Sequence, residues 1–458
     1  MEDSFRQCMI AVLHIYSRQR GPDDRTDSAD VGAKKHKIIV VAIEVGNEWS
    51  GYAYSFSNEY LKDPLCIKSA NNLNYGLGNL SVKTRSVVLF DENQKFHSFG
   101  FGAEEFYSDL TDECKHRKWF FFKYFMMKLS GRHITRNIEI EDNTGRKMKA
   151  IEVIGPAIKY LKEHMLSLLE NKQTELHNKD IHWVLIVPAI WTDSAKQLMG
   201  EAAYKAGIAE TQLTIVTKPE TAMIYHQTEK QIRKLRTADL CIPGTKCMVI
   251  DLGENTCDFT IYECQSDGGH REIKAATGIS CGENMVIEGF HELIRNITGD
   301  AVFQKWNDEY AYDRLALQRN IEEKLGLIKH NRDGFETFKV PCSINKVFRE
   351  INHEDIGQAT ERSRFNGNIK WIDDKLRIDG ETVKSLFTPC TDTIVDHAQY
   401  LLNEPGVEGT SIFLMVGRLF ESAIVEEAIK IAFPTVNIIS AAQDMVVLKG
   451  AVIHGHQH

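Results

Sequence analysis

Two short segments carry an acid two residues ahead of a glycine: Glu44-Val45-Gly46-Asn47-Glu48 and Asp251-Leu252-Gly253-Glu254-Asn255-Thr256-Cys257-Asp258. A glycine at a tight turn lets backbone N–H groups approach a phosphate. A carboxylate just before it, Glu44 or Asp251, can hold Mg2+ through water. A hydroxyl such as Thr256 can donate to a phosphoryl oxygen. Two such hairpins facing each other across a cleft would grip a triphosphate from both sides. Taken singly, each is better read as a tight turn between buried strands. Other reactive patterns are missing: there is no Gly-rich Lys-Ser/Thr phosphate loop, no HExxH and no GxSxG.

The elements that would position these turns follow from hydrophobic patterning. Ile38 to Ile43 is apolar and β-branched throughout, as in a strand buried on both faces. Gly51 to Phe56 alternates small or polar with aromatic residues, as a paired second strand would. Ile151, Ile154, Ile158, Leu161, Met165, Leu168 and Leu169 recur at spacings of three and four, which predicts an amphipathic helix with Pro156 tolerated near its start. His182 to Val187 predicts another buried strand, stopped by Pro188. Asp193 or Ser194 caps the next helix, which ends at Gly207. After the polar stretch Glu229 to Lys246, with its Pro243-Gly244 turn, the grammar restarts: strand Met248 to Leu252, acidic-glycine turn, strand Phe259 to Glu263. Ile412 to Val416 is a further strand, leading into Gly417 and a helix from Glu421 to about Ala432. Strand, acidic-glycine turn, strand thus occurs twice, as a duplicated α/β unit would give. The fold class read from this is α/β, in three-layer lobes. The divisions are an N-terminal tail over 1–37, lobe I over 38–239 and lobe II over 240–458.

Composition bounds the function. The chain has 458 residues, 43% apolar and 26% charged, with a formal net charge of −9. This is globular composition, and the acidic balance argues against a nucleic-acid partner. No apolar run approaches the roughly 18 residues needed to span a bilayer. Cys8 to Tyr16 is apolar, but lacks a basic flank and a cleavage site and reads as a short helix or loose tail. Residues 17–37 read as a disordered linker. Ten cysteines without a CxxC pair suit reduced thiols in the cytosol, where the triplets Asn79-Leu80-Ser81 and Asn296-Ile297-Thr298 are chance matches to a glycosylation site. The aromatic run Lys118 to Lys128 could be a partner-docking face, but is better read as a helix packed into a core. The alternating His454, His456 and His458 read as a frayed tail.

The order of the motifs is more specific than any one of them. The first hairpin, Val187-Pro188-Ala189-Ile190-Trp191-Thr192-Asp193-Ser194, then Lys218-Pro219-Glu220-Thr221-Ala222, the second hairpin, and Val416-Gly417 before a helix are collinear. In this the chain resembles the heat shock 70 kDa protein family of the actin-like ATPase superfamily. Gly51 to Phe56, Pro219-Glu220, and Gln443-Asp444 leading to Leu448-Lys449-Gly450-Ala451-Val452 resemble its atypical branch 12. The resemblance spans residues 38–455. It implies a two-lobed fold of the duplicated ribonuclease H-like kind with a central nucleotide cleft, and ATP or ADP with Mg2+ as ligand. Glu44, Gly46, Asn47, Glu48, Gly253, Glu254, Asn255, Thr256 and Asp258 would flank the phosphates, with Glu44 and Asp251 toward the metal. Gly417 and Arg418 would lie under the adenosine and Lys324 near the ribose or base. Asp251 and Glu220 would be the catalytic carboxylates.

Departures from the family pattern concentrate in the cleft. The first motif of the family reads Asp-x-Gly-Thr-Thr, against Glu44-x-Gly46-Asn47-Glu48. The second reads Asp-x-Gly-Gly-Gly-Thr, where Glu254 and Asn255 replace glycines. Gly417 is followed by Arg418 in place of glycine. Lys218 stands where an acid precedes the proline, and Glu104 aligns with the catalytic lysine. A carboxylate about 4 Å from a phosphate is repelled by roughly 4 kcal/mol at an effective dielectric near 20. Two such contacts would cancel micromolar affinity, about 8 kcal/mol. Lys218 can instead pair with Glu44, Glu48 or Glu254 and fill the cleft with an internal ion cluster. The expectation is therefore a cytoplasmic, nucleotide-cleft protein with weak or absent ATPase and a chaperone-like or adaptor role, without the family's C-terminal peptide-binding domain. The alternatives are an active ATPase or phosphotransferase of the same superfamily, and a scaffold that binds no nucleotide.

Overall fold

The computed structural model describes residues 37–70, 73, 82–112, 115–130, 134–170, 177–234, 240–266, 269–328, 334–440 and 445–458. The apolar stretch Cys8 to Tyr16, the linker up to residue 36, the triplet Asn79-Leu80-Ser81 and the pair Gln443-Asp444 lie outside the described residues.

Two mixed sheets dominate. In the first, Ile39–Val45 pairs antiparallel with Trp49–Phe56 and parallel with Ile181–Val187, which pairs parallel with Leu213–Thr217. Lys68–Ser69 and Lys83–Arg85 both add to Trp49–Phe56. In the second, Lys246–Leu252 pairs antiparallel with Cys257–Cys264 and parallel with Thr410–Val416, which pairs parallel with Asn437–Ser440. His270–Ile279 extends the other edge. The two sheets therefore share one strand order and one pattern of directions: a three-strand antiparallel meander whose first strand continues into two parallel crossover strands. The repeated grammar of the sequence is a repeated topology.

The apolar runs explain which strands are central. All seven residues of Ile39–Val45 are buried, as are all but two of Lys246–Leu252. A parallel strand covered by crossover helices on both faces has no solvent side to alternate with. Each fully buried Ile, Leu or Phe side chain contributes about 1.5–3 kcal/mol of transfer free energy. Small antiparallel sheets complete the α/β architecture.

Four local expectations are corrected. The aromatic run is not a helix: Phe120–Lys123 is a strand and Phe125–Ser130 a short 3-10 turn, broken at Tyr124 with φ +57°. Its residues are nonetheless core, with Phe122 and Phe125 fully buried. Pro156 lies inside Ala150–Glu170, seven residues in, rather than at its start. Thr192, not Asp193 or Ser194, caps Asp193–Lys205 by accepting from the Ala195 N–H. The C-terminus does not fray: Val446–Gln457 is a helix packed on Lys218–Arg233 and on the first sheet, and His456 stacks on Tyr60 at 4.1 Å.

Candidate functional site

Both acidic-glycine segments are hairpin turns of the same make. The Gly46 N–H donates to the Trp49 carbonyl at 3.1 Å, and the Gly253 N–H to the Thr256 carbonyl at 3.0 Å. A Cβ would sit 2.6 Å from that oxygen at Gly46 and 2.8 Å from it at Gly253, so both positions require glycine. The register puts Glu44 opposite Gly51 and Asp251 opposite Asp258. Gly417 follows the strand Thr410–Val416 with φ +96°, where a Cβ would collide with the Leu252 carbonyl.

A lysine joins the two hairpins. Lys218, at the start of the helix Lys218–Arg233, places Nζ 3.2 Å from Glu44 Oε1 and 3.4 Å from Asp251 Oδ2. Lys83 approaches the other oxygen of Glu44 at 3.1 Å. Burial alone would raise the Glu44 pKa, yet Lys83 and Lys218 outweigh it and hold the carboxyl down at about 2. Burial likewise opposes the charge on Lys218, but Asp251, Glu44 and Glu254 push its pKa above the usual lysine range. Of the three partners foreseen for Lys218, Glu44 is in contact and Glu254 acts through its field. Glu48 is engaged elsewhere, and Asp251 takes its place.

Glu48 belongs to a second cluster, centred on Arg85. This buried guanidinium lies 3.6 Å from Glu48 and 3.9 Å from Glu104, and is in closest contact with Glu322. It also covers the Trp49 ring at 4.2 Å. Arg319 pairs with Glu104 at 2.8 Å. Arg418 pairs with Glu283 at 2.8 Å, donates to the Glu322 carbonyl at 2.7 Å, and faces Trp49 at 5.4 Å. Asn284 donates to Glu48 Oε1 and to Asn255 Oδ1, each at 2.9 Å. The first N–H groups of the helix Glu283–Thr298 are taken by the second hairpin: Glu283 donates to the Gly253 carbonyl and Asn284 to that of Glu254.

The charge balance has a simple form. Eight carboxyls (Glu44, Glu48, Glu104, Asp251, Glu254, Asp258, Glu283, Glu322) face five cations (Lys83, Lys218, Arg85, Arg319, Arg418). Three of the carboxyls are pushed up into the neutral range. Glu254 rises to about 7 through burial and the neighbouring Glu48. Asp258 rises to about 7 through burial and Asp251. Glu283 rises to about 8 through burial, against the pull of Arg418. Burial therefore works against the charge on three of the eight carboxyls.

The site residues foreseen from the sequence are distributed as follows. Glu44, Gly46, Asn47, Glu48, Asp251, Gly253, Glu254, Asn255, Thr256, Asp258, Gly417 and Arg418 belong to the two hairpins and the strand end beside them. Asn47 Oδ1, Asn255 Nδ2 and Asp258 Oδ1 are buried without a hydrogen-bond partner. Lys324 is half-buried on Ala311–Leu325, two residues beyond Glu322. Glu220 is not brought to the hairpins: exposed, it accepts from the Thr217 N–H at 2.9 Å and hydroxyl at 2.7 Å as a helix cap. Among the described residues no group of three or more His, Cys, Asp or Glu side chains is placed to hold a metal ion. Sequence reading missed Arg85, Lys83, Glu283, Asn284 and Glu322. Only Lys83-Thr84-Arg85, basic at alternate positions of a short strand, carried a local signal.

No protein-family model matches the chain. Individual proteins do. Heat shock 70 kDa protein 12A of Homo sapiens is 29% identical over 485 residues, covering 94% of this chain and 71% of that protein. The Mus musculus protein of the same name is 28% identical over 484 residues, with the same coverage. Heat shock 70 kDa protein 12B of Homo sapiens is 29% identical over 474 residues, covering 91% of this chain and 68% of that protein. The mixed α/β architecture is compatible with the actin-like ATPase fold that the sequence resemblance implied. No helix among the described residues is long and apolar enough to cross a membrane. Along more than nine-tenths of its length, the chain is similar to heat shock 70 kDa proteins 12A and 12B.

Proposed function

We propose that this protein is a two-lobed, actin-like chaperone relative whose cleft is closed by its own ion network, with weak or absent ATP hydrolysis. The lobes are residues 38–239 and 240–458, built on the first and second large sheets, with the C-terminal helix Val446–Gln457 of the second packing back on the first sheet. The observation that carries the reading is Lys218 Nζ bridging Glu44 and Asp251, one carboxylate from each hairpin.

A Mg2+-bound triphosphate does not fit the residues as they stand. Glu44 and Asp251, the two acids suited to a hydrated metal, are already neutralised by lysine. The N–H groups of Gly46, Gly253, Glu283 and Asn284 donate to protein carbonyls. Glu48 and Glu254 put carboxyls where the phosphates would lie, and Asn284 ties Glu48 to the second hairpin. No hydrolytic step is therefore derived. The network does what nucleotide and metal would otherwise do: it holds the two hairpins together. In this reading the protein acts through partner binding, as an adaptor or chaperone-like scaffold. Calorimetric titration of the full chain with Mg2+-ATP, with phosphate release followed in parallel, tests it. Neither heat of binding nor turnover is expected; micromolar binding with turnover would overturn it.

A further inference from the structure

Three buried cysteines meet behind the second hairpin. Cys281 lies in the link between His270–Ile279 and Glu283–Thr298, and Cys390 in the helix Gly380–Leu402, next to Pro389. Their sulfurs are 3.0 Å apart although 109 positions separate them in the chain. Cys257 Sγ lies 3.1 Å from the Cys281 carbonyl, and Cys390 Sγ 3.6 Å from that of Gly282. Cys281 also lines a cavity of about 380 Å3, together with Tyr124, Glu254, Asn284 and Gln318. That space admits a molecule far larger than water, whose share of the liquid is about 30 Å3. Cys390 is fully buried. The two thiols thus differ in access: one borders a cavity, the other waits behind it.

We propose that Cys281 and Cys390 are a peroxide-oxidisable thiol pair, with Cys281 the sulfur attacked first and Cys390 the resolving thiol. Side-chain hydrogen bonds from Cys257 and Cys390 favour the Cys281 thiolate against the effect of burial, which is the form that reacts. The thiolate attacks one oxygen of hydrogen peroxide and the O–O bond breaks. Hydroxide leaves and takes a proton to become water, and Cys281 becomes a sulfenic acid. The Cys390 sulfur then attacks that sulfur, the S–O bond breaks, and a second water leaves with the Cys390 proton. Two electrons pass from two thiols to one peroxide. The product would staple Gly380–Leu402 to the segment whose next residues, Glu283 and Asn284, dock on the second hairpin. It does not depend on whether nucleotide binds.

The test uses the full chain, reduced and then exposed to graded hydrogen peroxide. It is then denatured in N-ethylmaleimide and digested without reductant. The expected result is a Cys281–Cys390 linked peptide and about a tenfold loss of maleimide label at both positions, at a dose that leaves Cys257 labelled. Dimedone should add to Cys281 in C390S and fail to add to Cys390 in C281S. Full labelling of Cys281 and Cys390 at doses that oxidise the exposed Cys342 would overturn the proposal. So would a Cys257–Cys281 linkage in the wild-type chain, which is read whether or not the variants fold.

Discussion

Replacing Lys218 by methionine removes the cation between the hairpins while keeping most of its volume. Glu44 is held at about 2 against an ordinary 4.5. At 1.36 kcal/mol per unit, that depression corresponds to about 3 kcal/mol of preference for the ionised form in the folded state. Lys83 supplies part of it, so Lys218 accounts for roughly half. Asp251 loses the same cation, 3.4 Å away; breaking a buried pair costs about 3–5 kcal/mol, and the low end, about 3 kcal/mol, applies because Lys83 remains beside Glu44. For a unit of about 200 residues this lowers the Tm by roughly 6–10 °C. Thermal melts of wild type, K218M and K218M/D251N at pH 8 and pH 5 provide the assay. The loss should be full at pH 8 and smaller at pH 5, where the unpaired carboxyls take up protons. K218M/D251N should recover part of it, because neighbours in one network are not additive. A K218M melt within about 1 °C of wild type at pH 8 would refute the reasoning.

Other outcomes follow from the same network. R85M leaves Glu48, Glu104 and Glu322 without their shared cation, and should cost more than K218M, above roughly 3–5 kcal/mol; R85K should fall between, having charge without the planar fork. Melts of R85M equal to wild type would contradict this. Glu254 and Asp258 near 7 and Glu283 near 8 retain protons that the unfolded chain has released above about pH 4.5. Their contribution is therefore largest at low pH and is lost as pH rises through 7 and 8, whereas that of Glu44 is lost as pH falls from about 4.5 toward 2. Tm should peak at about pH 4–5 and fall as pH rises to about 8, less steeply in E283Q; a flat or rising profile between about pH 5 and 8 would contradict the assignment.

Both hairpins, the central strands and the repeated topology were legible because each rests on a local signal: a β-branched apolar run, or an acid two residues before a glycine. The Glu44–Lys218 pair was foreseeable, since both residues depart from one family pattern in complementary ways. Arg85 was not. Its partner Glu322 is 237 positions away, and nothing local marks a guanidinium as buried. The aromatic run Phe120 to Met127 misled because a continuous apolar stretch has no period; Tyr124 in the left-handed region divides it. Glu220 misled for a different reason: the carboxylate that follows Pro219 caps its own helix instead of reaching the cleft.

The most direct test of the central claim is titration calorimetry of the full chain with Mg2+-ATP at low ionic strength and pH 7.5, with phosphate release measured on the same sample. A cleft closed by Lys218, Glu44 and Asp251 predicts a Kd weaker than about 100 μM and no release above background. A Kd near 1 μM with steady turnover would contradict it.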